Sequence, residues 1–123
     1  MAGKRNPSTF LIRQKSFLKL SILTYIEKKR YYAYELIEKF KEDYSEFGYK
    51  PVSTEIYKAL NELVEQGILR RQKRKQSETD QYKEVVVYSF QDWEAAQSYK
   101  KQLKEVLINS EKMIKRALKI NFK

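Results

Sequence analysis

Residues 50–69 have the sequence KPVSTEIYKALNELVEQGIL, the pattern of one helix between two breaks in the chain. Pro51 pushes the residue before it out of helical geometry, and Ser53 or Thr54 can cap a helix that ends before Gly67. Apolar residues recur at spacings of three and four, at Ile56, Leu60, Leu63 and Val64. The segment therefore predicts an amphipathic helix with one buried face.

The chain before this segment predicts two further helices and a basic N-terminal arm. Residues 1–9 are polar and carry Lys4 and Arg5, so we expect a flexible arm that ends at a Ser8 or Thr9 helix cap. The first helix is expected from Phe10 to about Tyr25. Its apolar residues cover more than one face, as in a helix buried between other elements.

A second helix is predicted from Ala33 to Phe47, because apolar residues fall at spacings of four and three along it. Gly48 is the expected stop. The charged residues 27–30 form a turn before this helix, and the Tyr31 and Tyr32 pair favours a brief strand.

A β-hairpin is predicted after the third helix. Its first strand spans 68–75 (ILRRQKRK), its loop 76–81 (QSETDQ), and its return strand 82–90 (YKEVVVYSF), which is rich in β-forming residues. Helices followed by a hairpin in this order are typical of a winged helix-turn-helix domain. The fold class is therefore α+β, mainly α.

One long helix is predicted at the C-terminal end. Asp92 is a good N-cap, and the chain continues to about Ile120 without Gly or Pro, roughly 40 Å of helix. That length exceeds the needs of the domain core, so we expect a homodimer joined through this helix. The predicted dimer residues are Trp93, Ala96, Tyr99, Leu103, Val106, Leu107, Met113, Ile114, Ala117 and Ile120. The domain limits are accordingly 1–9 for the arm, 10–91 for the winged helix and 92–123 for the dimerisation helix.

Charge and composition indicate a polyanionic partner. Lys and Arg outnumber Asp and Glu by 26 to 16, which leaves a net charge of +10. The absence of Cys and His removes thiol, imidazole and ordinary zinc chemistry, so we expect neither an enzyme, nor a metal site, nor a cofactor, nor a small-molecule ligand. With no signal peptide and no membrane-spanning stretch, we expect a cytoplasmic, nucleoid-associated protein.

The candidate DNA contacts lie on the third helix and on the cationic strand. On a helical wheel, Thr54, Lys58, Asn61 and Glu65 lie opposite the apolar face, and a recognition helix usually contacts bases from its N-terminal half. Lys58 could contact a guanine edge or a phosphate, and Glu55 could accept from cytosine. Lys50 and Tyr57 are better placed for phosphate. The remaining candidates are Arg70, Arg71, Lys73, Arg74 and Lys75 in the wing and Lys4, Arg5 and Arg13 near the N-terminus.

Each of these features has a structural alternative. Polar residues opposite an apolar stripe are usually solvated, and a cationic edge strand can act only against aggregation or as an import signal. We expect core or interface roles for Tyr31, Tyr34, Tyr44 and Tyr99, and for Tyr88 either such a structural role or a functional one. The long helix could also pack back on its own domain.

Three segments carry a resemblance to a known family. FLIRQKSFLKL (10–20), YELIEKFKEDYSEFGYKPVSTEIYKALNELVEQGIL (34–69) and EVVVYSFQDWEAAQSYKKQLK (84–104) together resemble the replication terminator proteins of bacilli. The family's third helix has Lys-Pro-Asn-x-Thr-Glu followed by Arg. Here Lys50, Pro51, Thr54 and Glu55 match, Val52 stands in place of the Asn, and Lys58 stands in place of the Arg. Residues 27–30, acidic and basic in the family, are mostly cationic here, and the loop at 76–81 differs in composition.

The resemblance implies a homodimer whose third helix contacts the major groove, whose wing and arm hold the flanking backbone, and whose long helices pair antiparallel. It further implies two dimers on adjacent halves of a terminator site, a fork blocked from one direction, and a possible contact with the replicative helicase. A winged-helix transcriptional regulator carried on a plasmid or prophage is the alternative. A protein that binds RNA or an anionic surface is the third hypothesis, which the two-fold architecture disfavours.

Overall fold

The computed structural model describes residues 10–29, 32–75 and 84–122, and these form a winged helix with a long C-terminal helix. The order of elements agrees with the sequence-based expectation. The elements are α1 (Gln14–Glu27), α2 (Ala33–Tyr44), a 3-10 turn (Ser45–Phe47), α3 (Ser53–Glu65), β1 (Leu69–Lys75), β2 (Glu84–Phe90) and α4 (Trp93–Asn121).

The core lies where α1, α2 and α3 meet the base of the hairpin. The predicted inward face of α3 is confirmed, since Ile56, Leu60 and Leu63 are fully buried, and Val64 packs at the edge. Ala59 belongs to the same buried face. The other large buried side chains are Ile22, Leu23 and Ile26 of α1, Leu36 and Phe40 of α2, Leu69 of β1 and Tyr88 of β2. Burial of this apolar surface is the main free-energy gain of folding.

Two predicted helix starts were wrong. The helix α1 begins at Gln14 rather than at Phe10, because Arg13 is its extended N-cap and the chain before it crosses α4. The predicted caps Ser8 and Thr9 lie outside the described residues. The cap of α3 is Val52, not Ser53 or Thr54. Val52 has no side-chain acceptor, so the helix start depends on the Glu55 carboxylate, which accepts from the Val52 backbone N–H at 3.3 Å.

The segment around the second helix largely follows the prediction. The α-helix ends at Tyr44, a 3-10 turn continues to Phe47, and Gly48 follows with a left-handed φ of 86°. The predicted strand before it is a single bridge between Tyr32 and Val87 of β2. Tyr31 lies outside the described residues. The wing therefore consists of the two-stranded hairpin with one bridging residue on its outer edge.

The hairpin pairs β1 and β2 antiparallel, with Leu69 opposite Phe90 and Lys75 opposite Glu84. The strand β1 is one residue shorter than predicted, since it starts at Leu69. The predicted loop at 76–81 and the first two residues of the predicted return strand lie outside the described residues.

The helix α4 has two different halves. Asp92 caps it as predicted, accepting from the Ala95 backbone N–H at 3.0 Å. The first half packs on its own domain: Ala96 is fully buried in the core, and Lys100 forms an ion pair with Glu27 of α1 at 3.0 Å. The prediction that Ala96 contacts a second copy was therefore wrong. Tyr99 also packs against this core.

Ser110 connects the middle of α4 to the chain that precedes α1. Its Oγ accepts from the Ile12 backbone N–H at 2.8 Å and donates to the Val106 carbonyl at 2.8 Å. The side chain is buried, which explains a polar residue within an otherwise apolar stripe. Beyond Ser110 the residues of α4 are exposed.

Candidate nucleic-acid interface

The outward surface of α3 is polar, as its sequence predicts. Thr54, Lys58 and Asn61 are exposed, and Tyr57 beside them is 43% exposed. Because α3 buries its other side completely, these side chains project from a rigid helix. A helix held in this way can present a defined set of groups to a groove of DNA.

Glu55 is engaged within the protein. One carboxylate oxygen accepts from Val52 N, and the other accepts from Gln14 Nε2 at 3.2 Å. Gln14 also donates to the Tyr49 hydroxyl at 3.1 Å. These bonds join the starts of α1 and α3, and Lys58 lines a small pocket with Gln14 and Lys15 beside them.

The cations of β1 divide between the two faces of the hairpin. Side chains alternate along a strand, so Arg71 and Lys73 lie on the same face as the buried Leu69, and Arg70 and Arg74 lie on the opposite face. Arg70 donates to the hydroxyl of Ser89, its cross-strand partner, at 3.4 Å. The face that carries Arg71 and Lys73 is turned toward α3.

A groove of about 680 Å³ lies between α3, the wing and the start of α2. Its walls combine cations, an amide and aromatic rings. They are formed by Tyr32, Ala33, Tyr34, Tyr57, Asn61, Arg71, Lys73, Val85, Val86 and Tyr88. Across the groove, Arg71 Nη1 donates to Asn61 Oδ1 at 2.9 Å. Of the predicted contacts, Tyr57 and Asn61 of the helix and Arg71 and Lys73 of the wing are thus parts of one concave surface.

The structure tests the expected roles of three tyrosines. Tyr34 is not a core residue; it is 57% exposed and stacks on Tyr32 with ring centroids 5.6 Å apart. Tyr88 is buried, which supports the structural role of the two that were left open for it. Tyr44 packs edge-on against Phe17 as a core-edge residue, as expected. The stacked pair of Tyr32 and Tyr34 therefore adds an aromatic wall to the groove.

An ion-pair cluster between α1 and α3 was not predicted from the sequence. Lys15 and Lys19 contact the two carboxylate oxygens of Glu62 at 2.6 and 2.7 Å, and Lys19 is buried. Hydrogen bonds from Lys15 and then from Lys19 lower the pKa of Glu62 to about 2. The one signal in the sequence was a lysine within the apolar run 17–23. The cluster directs an acidic group of α3 toward α1 and away from the groove.

The other predicted DNA contacts have varied positions. Lys50 and Arg13 are exposed at the starts of α3 and α1, and Lys75 ends the described part of β1. Lys4 and Arg5 lie outside the described residues. The described part of the chain brings no three His, Cys, Asp or Glu side chains together as a metal site, and none of its helices is long and apolar enough to cross a membrane.

A second surface is apolar and lies on α4. Leu107, Met113, Ile114 and Ile120 are exposed, as a contact with a second copy would require. Leu103 and Val106 are half-buried, Ala117 is exposed, and Trp93 packs edge-on against Phe90 at 5.0 Å. A cleft of about 600 Å³ continues this surface, lined by Leu11, Ile12, Phe17, Leu107, Ile108, Ser110, Glu111, Ile114 and Lys115.

Comparison with known proteins gives one family and one fold. Residues 9–122 match the family model described as replication terminator protein. Replication termination proteins of Bacillus subtilis, Bacillus spizizenii and Bacillus vallismortis are each 44% identical over 119 residues, which is 97% of this chain and 97% of each relative. A solved structure from Thermoplasma acidophilum, described as a transcriptional regulator, matches with a TM-score of 0.69 and 21% identity, covering 85% of this chain and 93% of that one. At that identity the likeness concerns the fold alone.

Proposed function

The chain belongs to the replication terminator protein family, and from this premise we propose that it is a homodimer that binds a specific double-stranded DNA site and arrests replication forks there. The observation that carries the proposal is the concave surface between α3 and the wing, where Arg71 and Lys73 face the exposed side of α3. The net charge of +10 supports a polyanionic partner.

The proposed binding mode assigns different roles to the two walls of the groove. The exposed side of α3 enters the major groove, with Thr54 and Lys58 nearest the base edges. One DNA strand then passes between α3 and β1, where Arg71 and Lys73 contact phosphate and Tyr57 packs at its flank. Lys50 and Arg13 extend the phosphate contacts at the helix starts. Lys4 and Arg5 of the N-terminal arm and Arg70, Arg74 and Lys75 of the wing are proposed to hold the flanking backbone.

The proposed dimer uses the C-terminal half of α4. Half of the Ile114 side chain is exposed (48%), and Leu118 and Ile120 are more exposed still. A second copy that runs antiparallel along this half would cover them, and it would place two α3 helices on one side of the DNA. Two such dimers on adjacent half-sites form the proposed complete complex, at which a helicase arriving from one side is stopped.

Transcriptional regulation is the second candidate function. The fold shared with a protein described as a transcriptional regulator supports it, because the same dimer could bind an operator. The two functions use one DNA-binding surface and differ in the location of the site and in its effect on a replication fork.

Selection of genomic DNA fragments from the protein's own host would identify the site and separate these functions. A two-dimensional gel at the recovered site should show forks that stall from one direction only. Strong binding at a promoter through which forks pass freely would instead support the regulator and contradict fork arrest.

Substitution of Lys58 tests the binding surface. If Lys58 contacts a base, Lys58→Ala should weaken binding to the selected site by about 1–3 kcal/mol and reduce discrimination against other sequences. Lys112→Ala, which removes an exposed lysine of α4 far along the chain, is the matched control. Equal losses in the two variants would remove Lys58 from the specific interface.

Substitution of Ile114 tests the dimer. Ile114→Glu places a charge on the exposed apolar half of α4 without disturbing the core of its own domain, so the variant should fold and sediment as a monomer. Lys112→Glu, two residues away, has the same new side chain and should stay dimeric. A dimeric Ile114→Glu protein would refute the proposed interface.

A further inference from the structure

The hydrogen bond between the wing and the recognition helix suggests a role for Asn61 that differs from base contact. We propose that Asn61 is a positioning residue, which holds the guanidinium of Arg71 in place for a DNA phosphate. The inference rests on the proposed DNA-binding function and gives each of these two residues a separate role in it.

The geometry that supports this role is local and specific. Arg71 Nη1 donates to Asn61 Oδ1 at 2.9 Å, and both side chains are exposed on the walls of the groove. The backbone of Arg71 is held near the base of the wing, because its cross-strand partner Tyr88 is buried in the core. Asn61 lies one turn after Tyr57 and Lys58 on α3. The bond therefore connects the two DNA-facing walls above a rigid base.

The chemistry of the pair suits a phosphate contact. A guanidinium has five N–H donors, and Asn61 accepts from one nitrogen of the fork, so within the described residues the other nitrogens are available to phosphate oxygens. An amide carries no charge, so it orients Arg71 without neutralising it. A carboxylate at position 61 would hold the side chain equally well but would cancel the charge that attracts DNA.

The same bond argues against adenine recognition by Asn61. An asparagine that recognises adenine uses its oxygen and its nitrogen together, accepting from N6 and donating to N7. Here the oxygen already accepts from Arg71. This bond uses one of the two lone pairs of the oxygen and turns the amide toward the wing, so it competes with the bidentate geometry. We therefore assign the contribution of Asn61 to DNA binding through Arg71.

The salt dependence of binding separates the two roles. Each phosphate contact made by a cation contributes about 0.9 to the slope of log K against log salt. Arg71→Ala should lower the slope by about that amount. Asn61→Ala should also lower the slope, although it removes no charge. The double variant should have the same slope as Arg71→Ala alone. Preference among DNA sequences should change little.

Controls make the outcomes distinct. Alanine is the best helix former, so Asn61→Ala at this exposed helical position should fold, which circular dichroism can verify. Gln66→Ala, at the exposed C-terminal end of the same helix, removes a neutral amide that has no part in the proposal and should keep the wild-type slope.

A wild-type slope in Asn61→Ala, or losses in the two single variants that add in the double variant, would overturn the positioning role while leaving DNA binding intact. An Asn61→Ala protein that loses discrimination at one base pair would show direct base contact instead. A wild-type protein that binds no duplex DNA would overturn the proposed function, and this inference with it.

Discussion

Replacement of Ser110 by alanine should remove a hydrogen bond that stabilises the protein by about 1–2 kcal/mol. The Ser110 hydroxyl accepts from the Ile12 N–H at 2.8 Å, across 98 residues of sequence. A fully buried N–H that loses its acceptor costs about 1–3 kcal/mol. Ile12 is only half-buried, so water can replace part of the bond, and the lower part of that range applies.

The matched variant Ser98→Ala is the control for the change in helix propensity that accompanies Ser110→Ala. Both substitutions exchange serine for alanine within α4, and each gains roughly 0.5 kcal/mol of intrinsic helix stability. Ser98 is exposed, so its substitution has that gain without the loss of the Ile12 bond. The difference between the two variants therefore measures the contact between the N-terminal segment and α4.

Thermal unfolding at one fixed protein concentration is the assay, because the proposed dimer would make the midpoint depend on concentration. For a chain of this size, each kcal/mol lowers Tm by roughly 3–6 °C. Ser110→Ala should therefore unfold at least a few degrees below Ser98→Ala. Equal midpoints would mean that the hydroxyl contributes nothing, and would refute the argument that the residues before α1 are held by α4.

Three further predictions concern the domain itself. The pKa of Glu62 is about 2, below its ordinary value of 4.5, so its contribution to stability is present above pH 4.5 and is lost as the pH falls toward 2. In chemical unfolding, the difference in unfolding free energy between wild type and Glu62→Gln should shrink over that pH range. A constant difference would contradict the assignment. Leu60→Ala, at a fully buried position of α3, should cost about 2–5 kcal/mol in a denaturant titration, and a loss below 1 kcal/mol would mean that the core closes around the cavity. Gly67 has a left-handed φ of 79°, and a Cβ at this position would meet no neighbouring atom, so only the backbone conformation opposes a side chain. Gly67→Ala should therefore cost about 1 kcal/mol of stability, and Gly67→Asn less. Equal stability of all three proteins would contradict the backbone argument.

Much of the candidate site follows from sequence pattern. The apolar spacing of α3 identifies its exposed side, and the β-forming return strand identifies a hairpin whose other strand carries the cations. What the pattern does not reveal is that Arg71 and Lys73 face α3 while Arg70 and Arg74 face away. That division depends on the register with β2, where Leu69 opposite Phe90 fixes which face of the strand turns inward.

The dimer prediction shows the same division between local and tertiary information. Periodicity correctly identified one long C-terminal helix, yet it assigned Ala96 to a partner when that residue fills the chain's own core. A helical wheel gives the angle of a side chain but not the element that covers it. Only the packing of α4 against α1 separates its inward half from its exposed half.

The sequence by itself determined the order of helices and strands, the apolar face of α3, the breaks at Gly48 and Gly67 and the cap at Asp92. These features depend on backbone preferences and hydrophobic periods within a few residues, which a short segment contains completely. The tertiary structure decided the start of α1 at Gln14, the Ser110 bond to Ile12, the buried pairing of Lys19 with Glu62 and the Asn61 bond to Arg71. Each depends on the distance between side chains of different elements, which is set when the elements pack together to bury their apolar surfaces.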